Sequence, residues 1–202
     1  SGGGSELIIV ERNKVPKSFH LSGELGVFDT GIYITHPKLL NKLIPLKNSV
    51  ELIKDIILEE MISILTFLGA KRIVIKEVIG KKIKTSLGLK GVTAGGSFDS
   101  NMETLRIKEY AESPIDITRA RQAVLFTADL PKFKTIFQAR EHSNQTLEIF
   151  EEIVDFSANI DVSVIKAINP DSISSSINLK KLWRMEIEFY DKNQLPQTIE
   201  KK

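Results

Sequence analysis

The sequence predicts an α+β domain, in which a mostly antiparallel or mixed sheet packs against a long central helix over residues 49–68 and a second helical region over 131–156. Three observations support this class. One stretch has a long helical apolar pattern with signals at both ends, several shorter stretches alternate apolar and polar residues, and strands and helices do not alternate regularly. Regular alternation is typical of a doubly wound parallel sheet, so we expect a different arrangement here.

The composition indicates an ordinary globular protein with a sizeable core. Hydrophobic residues make up 42% of the 202 residues and charged residues 27%, and the net charge is only +2. The chain contains no cysteine, which excludes disulfides, thiol catalysis and cysteine-ligated metal sites. No run of about 18 uncharged apolar residues is present, so we expect no membrane span. The lack of cysteine fits a reducing compartment, and we expect a soluble, cytoplasmic protein.

Domain boundaries are predicted from the two ends of the chain. Residues 1–5, SGGGS, have the composition of a flexible linker and no initiator methionine, so we interpret them as a linker or an expression scar. Residues 6–191 are expected to form a single α+β domain, followed by a polar tail over 192–202.

The first elements are short. The nearly continuous apolar run 6–10 predicts a buried strand. Two further runs, 25–28 and 32–35, flank an Asp-Thr-Gly triplet and predict a hairpin. Pro37 then predicts the start of a short helix over about 38–43.

The clearest element is the helix over 49–68. Asn48 and Glu51 have capping-box spacing, and Gly69 stands where a left-handed C-terminal cap belongs. Apolar residues fill one half of the helical wheel, interrupted only by Glu60, and also intrude into the polar half. The intruding residues are Leu52, Leu58, Ile62 and Leu65. Either the helix is sandwiched within the fold or it also covers a partner, and the first explanation requires fewer assumptions.

Alternating patterns follow this helix. Segments 72–79 and 83–89 predict a hairpin around Gly80-Lys81, where glycine at the first turn position suits a type II′ turn. Residues 103–110 predict another strand. A basic hairpin is therefore expected within residues 71–91.

The remaining segments mix both periodicities. Residues 116–128 are ambiguous, and we favour a strand that ends near Asp129. Helical spacing predicts the second helical region over 131–156. Strands are predicted over 161–168 and 182–190, the latter with Trp183, Met185, Ile187 and Phe189 facing the core.

The Asp-Thr-Gly triplet resembles the active-site loop of aspartic proteases, over Val27 to Gly31. The resemblance implies a dimeric enzyme in which Asp29 of each copy is catalytic, because this chemistry requires two facing carboxylates. The chain has one copy of the triplet, Ile32 follows it where the family has a small residue, and a strong helix begins soon afterwards. We therefore prefer a turn in which Asp29 bonds nearby backbone amides and Gly31 has positive φ.

A second candidate site is basic. Residues 71–91 carry seven cations and one anion, a local net charge of +6 that leaves about −4 for the rest of the chain. Such a segment could follow a phosphate backbone, with an aromatic residue as a stacking surface. The alternative is a solvent-facing hairpin whose lysines protect an exposed edge. The nucleic-acid-binding candidates are Lys76, Lys81, Lys82, Lys84, Lys90, Arg106, Lys108 and Tyr110.

Other motifs give no catalytic or cofactor site. His20, His36 and His142 lack the spacing of metal ligands, and no G-x-S-x-G motif or Walker loop is present. Acidic residues over 148–155 are interpreted as a solvated helix surface. We expect no cofactor, no metal and no enzyme, but a protein–protein interaction or self-assembly domain that associates through the helix over 49–68 or through an open sheet edge. Nucleic-acid binding is the alternative, and a dimeric aspartic protease is a more distant one.

Overall fold

The computed structural model contains helices and antiparallel sheet, which confirms the α+β class. It divides the chain into two compact units, residues 1–56 with 155–179 and residues 57–154 with 180–202. The expectation of a single domain over 6–191 stays a prediction. The residues that the structure describes are 10–21, 31–39, 41–46, 49–79, 101–156 and 180–197.

The first unit contains a small three-stranded sheet. Its strands are β1 (His20–Leu21), β2 (Tyr33–Thr35) and β3 (Lys42–Pro45), in the order β1-β3-β2. Strand β3 runs parallel to β1 and antiparallel to β2. A 3₁₀ turn, Arg12–Lys14, precedes them.

The turn between β2 and β3 replaces the short helix predicted over 38–43, so that prediction was wrong. Nδ1 of His36 accepts hydrogen bonds from the backbone N–H groups of Lys38 and Leu39, both at 3.0 Å. These bonds stabilise a turn, after which the chain returns as β3 beside β2. The partner predicted for 32–35 was 25–28, which lies outside the described residues.

The prediction for Gly31 was also wrong. Its φ is not in the left-handed region, so this position does not require glycine for its backbone conformation. Asp29 lies outside the described residues, so its expected bonds to backbone amides stay a prediction.

Helix α1 (Ser49–Phe67) is one residue shorter than predicted and spans the sequence boundary between the units. Gly69 follows it with φ +84°, which confirms the predicted left-handed cap, and its N–H donates to the carbonyl of Thr66. Asn48 lies outside the described residues. Of the intruding residues, Leu58, Ile62 and Leu65 are buried and Leu52 is half-buried. The wide apolar surface of α1 therefore belongs to the core over this stretch.

The second unit is built on a four-stranded sheet. Its strands have the order β5-β4-β7-β6, and β4 runs antiparallel to both β5 and β7. They are β4 (Ala70–Val78), β5 (Met102–Glu109), β6 (Leu147–Asp155) and β7 (Lys180–Phe189). The predicted strands near 103–110 and 182–190 are confirmed as β5 and β7, and the four aromatic and apolar side chains expected to face the core from β7 are buried.

Two short helices complete this unit, α2 (Ile117–Gln122) and α3 (Pro131–His142), with a 3₁₀ turn, Phe126–Asp129, between them. The strand favoured before Asp129 was therefore wrong. The helical prediction over 131–156 was correct only in its first half, because the chain becomes extended at Ser143 and continues as β6. The predicted strand over 161–168 lies outside the described residues.

Strand β4 is not paired as predicted. Its two edges are occupied by β5 and β7 along its length, and the predicted hairpin partner, 83–89, lies outside the described residues. The predicted turn at Gly80-Lys81 lies outside the described residues. Between Ile75 and Lys76 the register with β5 shifts by one residue, which marks a β-bulge.

Helices α1 and α3 lie against the same face of the four-stranded sheet, which we call the helix face. On it, Ile73 lies beside Ile187 and Ile75 beside Met185. Arg106, paired with Ile75, has its Nε 3.9 Å from Oε1 of Glu59 on α1. On β7, the ring of Phe189 lies 4.7 Å from Cζ of Arg140 on α3, and alternation places Phe189 on the face of Ile187. We call the opposite side the outer face. No helix among the described residues has the length and apolar character needed to cross a membrane.

Candidate interaction surface

Three large aliphatic side chains are exposed at alternate positions of β6. Leu147, Ile149 and Ile153 retain 54%, 53% and 43% of their accessible surface. Because successive side chains of a strand point to opposite faces, these three share one face. We call this set the β6 strip.

The β6 strip lies on the outer face of the sheet. On the other face of β6, Glu152 and Val154 are buried and Glu148 and Phe150 are half-buried. Oε2 of Glu152 accepts a hydrogen bond of 2.9 Å from the backbone N–H of Phe133, in the first turn of α3. Since α3 lies on the helix face, Glu152 points to that side and the β6 strip points away from it.

Strand β6 is also a terminal strand of its sheet. It follows β7 in the strand order, and no described strand pairs with its other edge. The opposite terminal strand, β5, exposes Ile107 but also the charged residues Glu103, Lys108 and Glu109. Strand β5 thus exposes one large aliphatic side chain, whereas the β6 strip provides three.

The charge of β6 is uniformly negative. The strand contains Glu148, Glu151, Glu152 and Asp155 and no cationic residue. The acidic segment predicted as a helix surface is therefore a strand, with its acids divided between both faces. Burial raises the pKa of Glu148. Burial also raises the pKa of Glu152, although hydrogen bonds from the backbone N–H groups of Phe133 and Lys132 and the charge of Lys132 oppose the shift.

The structure places Lys76 on one face of the sheet and two other predicted nucleic-acid-binding residues, Arg106 and Lys108, on the opposite face. Lys76 lies on the outer face, with Nζ 3.7 Å from Oε1 of Glu186. Arg106 lies on the helix face beside Glu59, and Lys108, two positions along β5, shares that face and is exposed. These cations do not form one continuous basic surface, so their geometry does not favour the nucleic-acid alternative.

The other predicted site residues contribute little to a described site. Tyr110 is half-buried, and its backbone carbonyl accepts a hydrogen bond of 2.6 Å from the hydroxyl of Tyr190. Within the described ranges, no group of three or more histidine, aspartate or glutamate residues is arranged to hold a metal ion. The remaining candidates lie outside the described residues: Asp29, Lys81, Lys82, Lys84 and Lys90.

Sequence reasoning missed four buried charged residues of the second unit. They are Glu60, Glu77, Arg140 and Glu152. Glu60 accepts from three backbone N–H groups, and Glu77 accepts a hydrogen bond of 2.9 Å from Nε1 of Trp183. These bonds indicate structural roles, because buried charges are stable only when they are well partnered. The one local signal was Glu60, the acid that interrupts the apolar half of α1.

Comparison with known proteins identifies no relative: no family model, curated protein or solved structure matches the chain. The geometry of the β6 strip is therefore the basis for a functional proposal.

Proposed function

We propose that this chain is a non-enzymatic protein–protein interaction domain and that the β6 strip is its contact surface. The observation that carries the proposal is the alignment of Leu147, Ile149 and Ile153 on one face of a terminal strand. A single exposed aliphatic residue is common on protein surfaces, but three on one face of a strand whose other edge pairs with no described strand are characteristic of a contact site.

The expected gain from covering the β6 strip is substantial. Burying a whole leucine or isoleucine side chain contributes about 1.5–3 kcal/mol, so each half-exposed residue of the strip would gain about 1 kcal/mol in a complex. The three together would contribute about 3 kcal/mol, or roughly a hundredfold in affinity. A partner that covers the strip therefore has a clear energetic advantage over one that binds elsewhere on the sheet.

The sheet edge is a better candidate than α1. The sequence suggested association through either element, but of the apolar residues of α1 that intrude into its polar half, Leu58, Ile62 and Leu65 are buried and Leu52 is half-buried. None of the large hydrophobic residues exposed among the described residues lies on α1. The edge of β6 thus supports the interaction proposal without requiring the core to open.

The proposal is tested with peptides selected for binding to the wild-type chain from a random display library. Their affinities are then measured for Ile149→Ser and for the matched control Ile107→Ser, which removes an equally exposed isoleucine from the opposite terminal strand. We expect Ile149→Ser to weaken binding about fivefold and Ile107→Ser to change it less than twofold. Circular dichroism checks that both variants fold. Equal binding by both variants would overturn the proposal.

Self-association is measured in parallel. Sedimentation equilibrium at increasing concentration shows whether the wild-type chain forms dimers and whether Ile149→Ser removes them. Dimers lost only in Ile149→Ser would support the β6 strip as the contact surface. Dimers that persist in Ile149→Ser would place self-association elsewhere.

A further inference from the structure

We propose that the β6 strip is occupied by an extended segment of another protein that pairs with the edge of β6 and carries lysine or arginine among its apolar residues. This inference rests on the proposed function and specifies the mode of binding and the chemistry of the partner.

Backbone pairing is indicated by the period of the exposed side chains. Leu147, Ile149 and Ile153 fit a period of two along a terminal strand. An added strand lies about 4.8 Å from its neighbour and also places alternate side chains on the outer face. Its apolar residues can therefore lie directly beside the β6 strip while its backbone bonds to the edge, which is the geometry of β-strand addition.

The acids of β6 define the charge of the added segment. Glu151 lies within the β6 strip, and no cation among the described residues forms an ion pair with it. Two basic residues of the outer face already pair with an acid of β7, because Oε1 of Glu186 lies 3.7 Å from Nζ of Lys76 and 3.2 Å from Nε of Arg184. Opposite charges on neighbouring strands attract, so a basic segment fits this edge better than a neutral or acidic one.

A second copy of this chain fits the same edge poorly. In the antiparallel register that places Leu147 opposite Ile153 of the second copy, Ile149 lies opposite Glu151 and Glu148 lies opposite Glu152. Two β6 strands together contain eight acidic residues, two of which are the buried Glu152 side chains, and no cationic residue. Like charges on directly opposed positions destabilise a sheet, so charge favours a different polypeptide.

The test uses three eight-residue peptides as probes. One has valine at positions 1, 3 and 7, lysine at position 5 and threonine between them, so that valine and lysine share the face that lies beside the β6 strip. The second has glutamate in place of that lysine, and the third is the lysine peptide with proline at position 4. Binding to the wild-type chain is followed by ¹⁵N NMR at low salt, where charge effects are strongest. We expect the lysine peptide to bind at least tenfold more tightly than the other two and to shift the amide signals of β6.

Matched variants identify the groups responsible. Glu151→Gln should weaken binding of the lysine peptide about threefold, whereas Glu103→Gln, which removes an exposed acid from β5, should leave it unchanged. Ile149→Ser should weaken binding of all peptides that use the β6 strip. Equal effects of Glu151→Gln and Glu103→Gln would overturn the role assigned to the charge of β6.

The remaining outcomes separate this inference from the proposed function. Equal affinity for the lysine and glutamate peptides, still reduced by Ile149→Ser, would overturn the basic partner and retain the contact surface. Equal binding of the proline peptide would overturn strand addition. Dimers abolished by Ile149→Ser, without binding of the lysine peptide, would identify a second copy as the occupant. Absence of both peptide binding and dimers would overturn the inference. Equal affinity of the library-selected peptides for Ile149→Ser and Ile107→Ser would overturn the proposed function.

Discussion

Nε of Arg140, on α3, donates a hydrogen bond of 2.9 Å to the carbonyl oxygen of Leu68, immediately after α1. Nη2 of the same side chain donates to the carbonyl of Tyr190 at 2.6 Å, and the guanidinium lies over the ring of Phe189. Burial lowers the pKa of Arg140, while the charge of Asp191 opposes this shift. A cation at the C-terminus of a helix interacts favourably with the helix dipole, so Arg140 links the end of α1 to the end of β7.

Replacement of Arg140 by methionine should strongly destabilise the protein. Arg140→Met leaves the carbonyls of Leu68 and Tyr190 without their buried donor, and we expect the free energy of unfolding to fall by about 3 kcal/mol. Urea denaturation provides the measurement. Arg119→Met is the control, because that side chain is 69% exposed and its ion pair with Asp116 should contribute about 0.5 kcal/mol or less. Similar losses in both variants would contradict the role of Arg140.

Gly69 and Gly31 should respond differently to alanine. At Gly69, φ is +84° and a Cβ atom would lie 3.0 Å from Cδ1 of Leu195 and 3.2 Å from Cγ1 of Ile115. Gly69→Ala should therefore lower the free energy of unfolding by about 2 kcal/mol. At Gly31 the atom nearest to an added Cβ would be Cε2 of Tyr33, at 3.9 Å. Gly31→Ala should therefore change the free energy of unfolding by about 0.5 kcal/mol or less. Thermal unfolding of both variants checks the ranking, which equal melting temperatures would refute.

The fold was predictable where local signals sufficed. Helix α1 combines a long apolar period with Gly69, which can adopt the left-handed conformation without a steric penalty. Strand β7 alternates apolar and polar residues, and its apolar residues are buried as expected. In both elements the local preference agrees with the tertiary environment, which makes such segments the easiest to assign.

Strand β6 was not predictable from its own residues. Leu147, Phe150, Ile153 and Val154 fit the spacing of a helix, but the same segment also permits alternation, and pairing with β7 selects the strand. The pairing of β4 with β5 likewise depends on residues that are distant in the sequence. Closing a long loop costs only slightly more entropy than closing a short one, so sequence proximity does not identify the partner strand. The sequence indicated an open sheet edge as a route of association but could not locate it, since the β6 strip exists only once β6 is a terminal strand.

The adjacent acids Glu60 and Glu59 should contribute very differently to stability. Oε1 of Glu60 accepts from the N–H groups of Leu125 and Phe126 at 2.9 Å, and Oε2 accepts from that of Thr127 at 2.6 Å. In Glu60→Gln an amide NH₂ group, which donates, replaces one of the two accepting oxygens. We therefore expect the free energy of unfolding to fall by about 2 kcal/mol. Glu59→Gln removes the charge of a side chain that is 63% exposed and pairs with Arg106. It should lower the free energy of unfolding by about 0.5 kcal/mol or less. Urea denaturation and amide hydrogen exchange measure the difference, and a loss in Glu59→Gln as large as that in Glu60→Gln would contradict it.

Glu152 should make stability depend on pH in the direction opposite to that of a salt-bridged acid. Burial raises its pKa in the folded state, so the folded protein binds this proton more tightly than the unfolded chain does. The resulting stabilisation is fully present below the unfolded pKa of about 4.3 and is lost as pH rises through the folded pKa. The free energy of unfolding of wild type minus that of Glu152→Gln should therefore fall as pH increases across this window, as urea denaturation at each pH would show. Glu148→Gln, whose acid also has a pKa raised by burial, should give a difference of the same sign, and the double variant separates the two contributions. A difference that increases with pH would show that the hydrogen bonds to the carboxylate outweigh its burial.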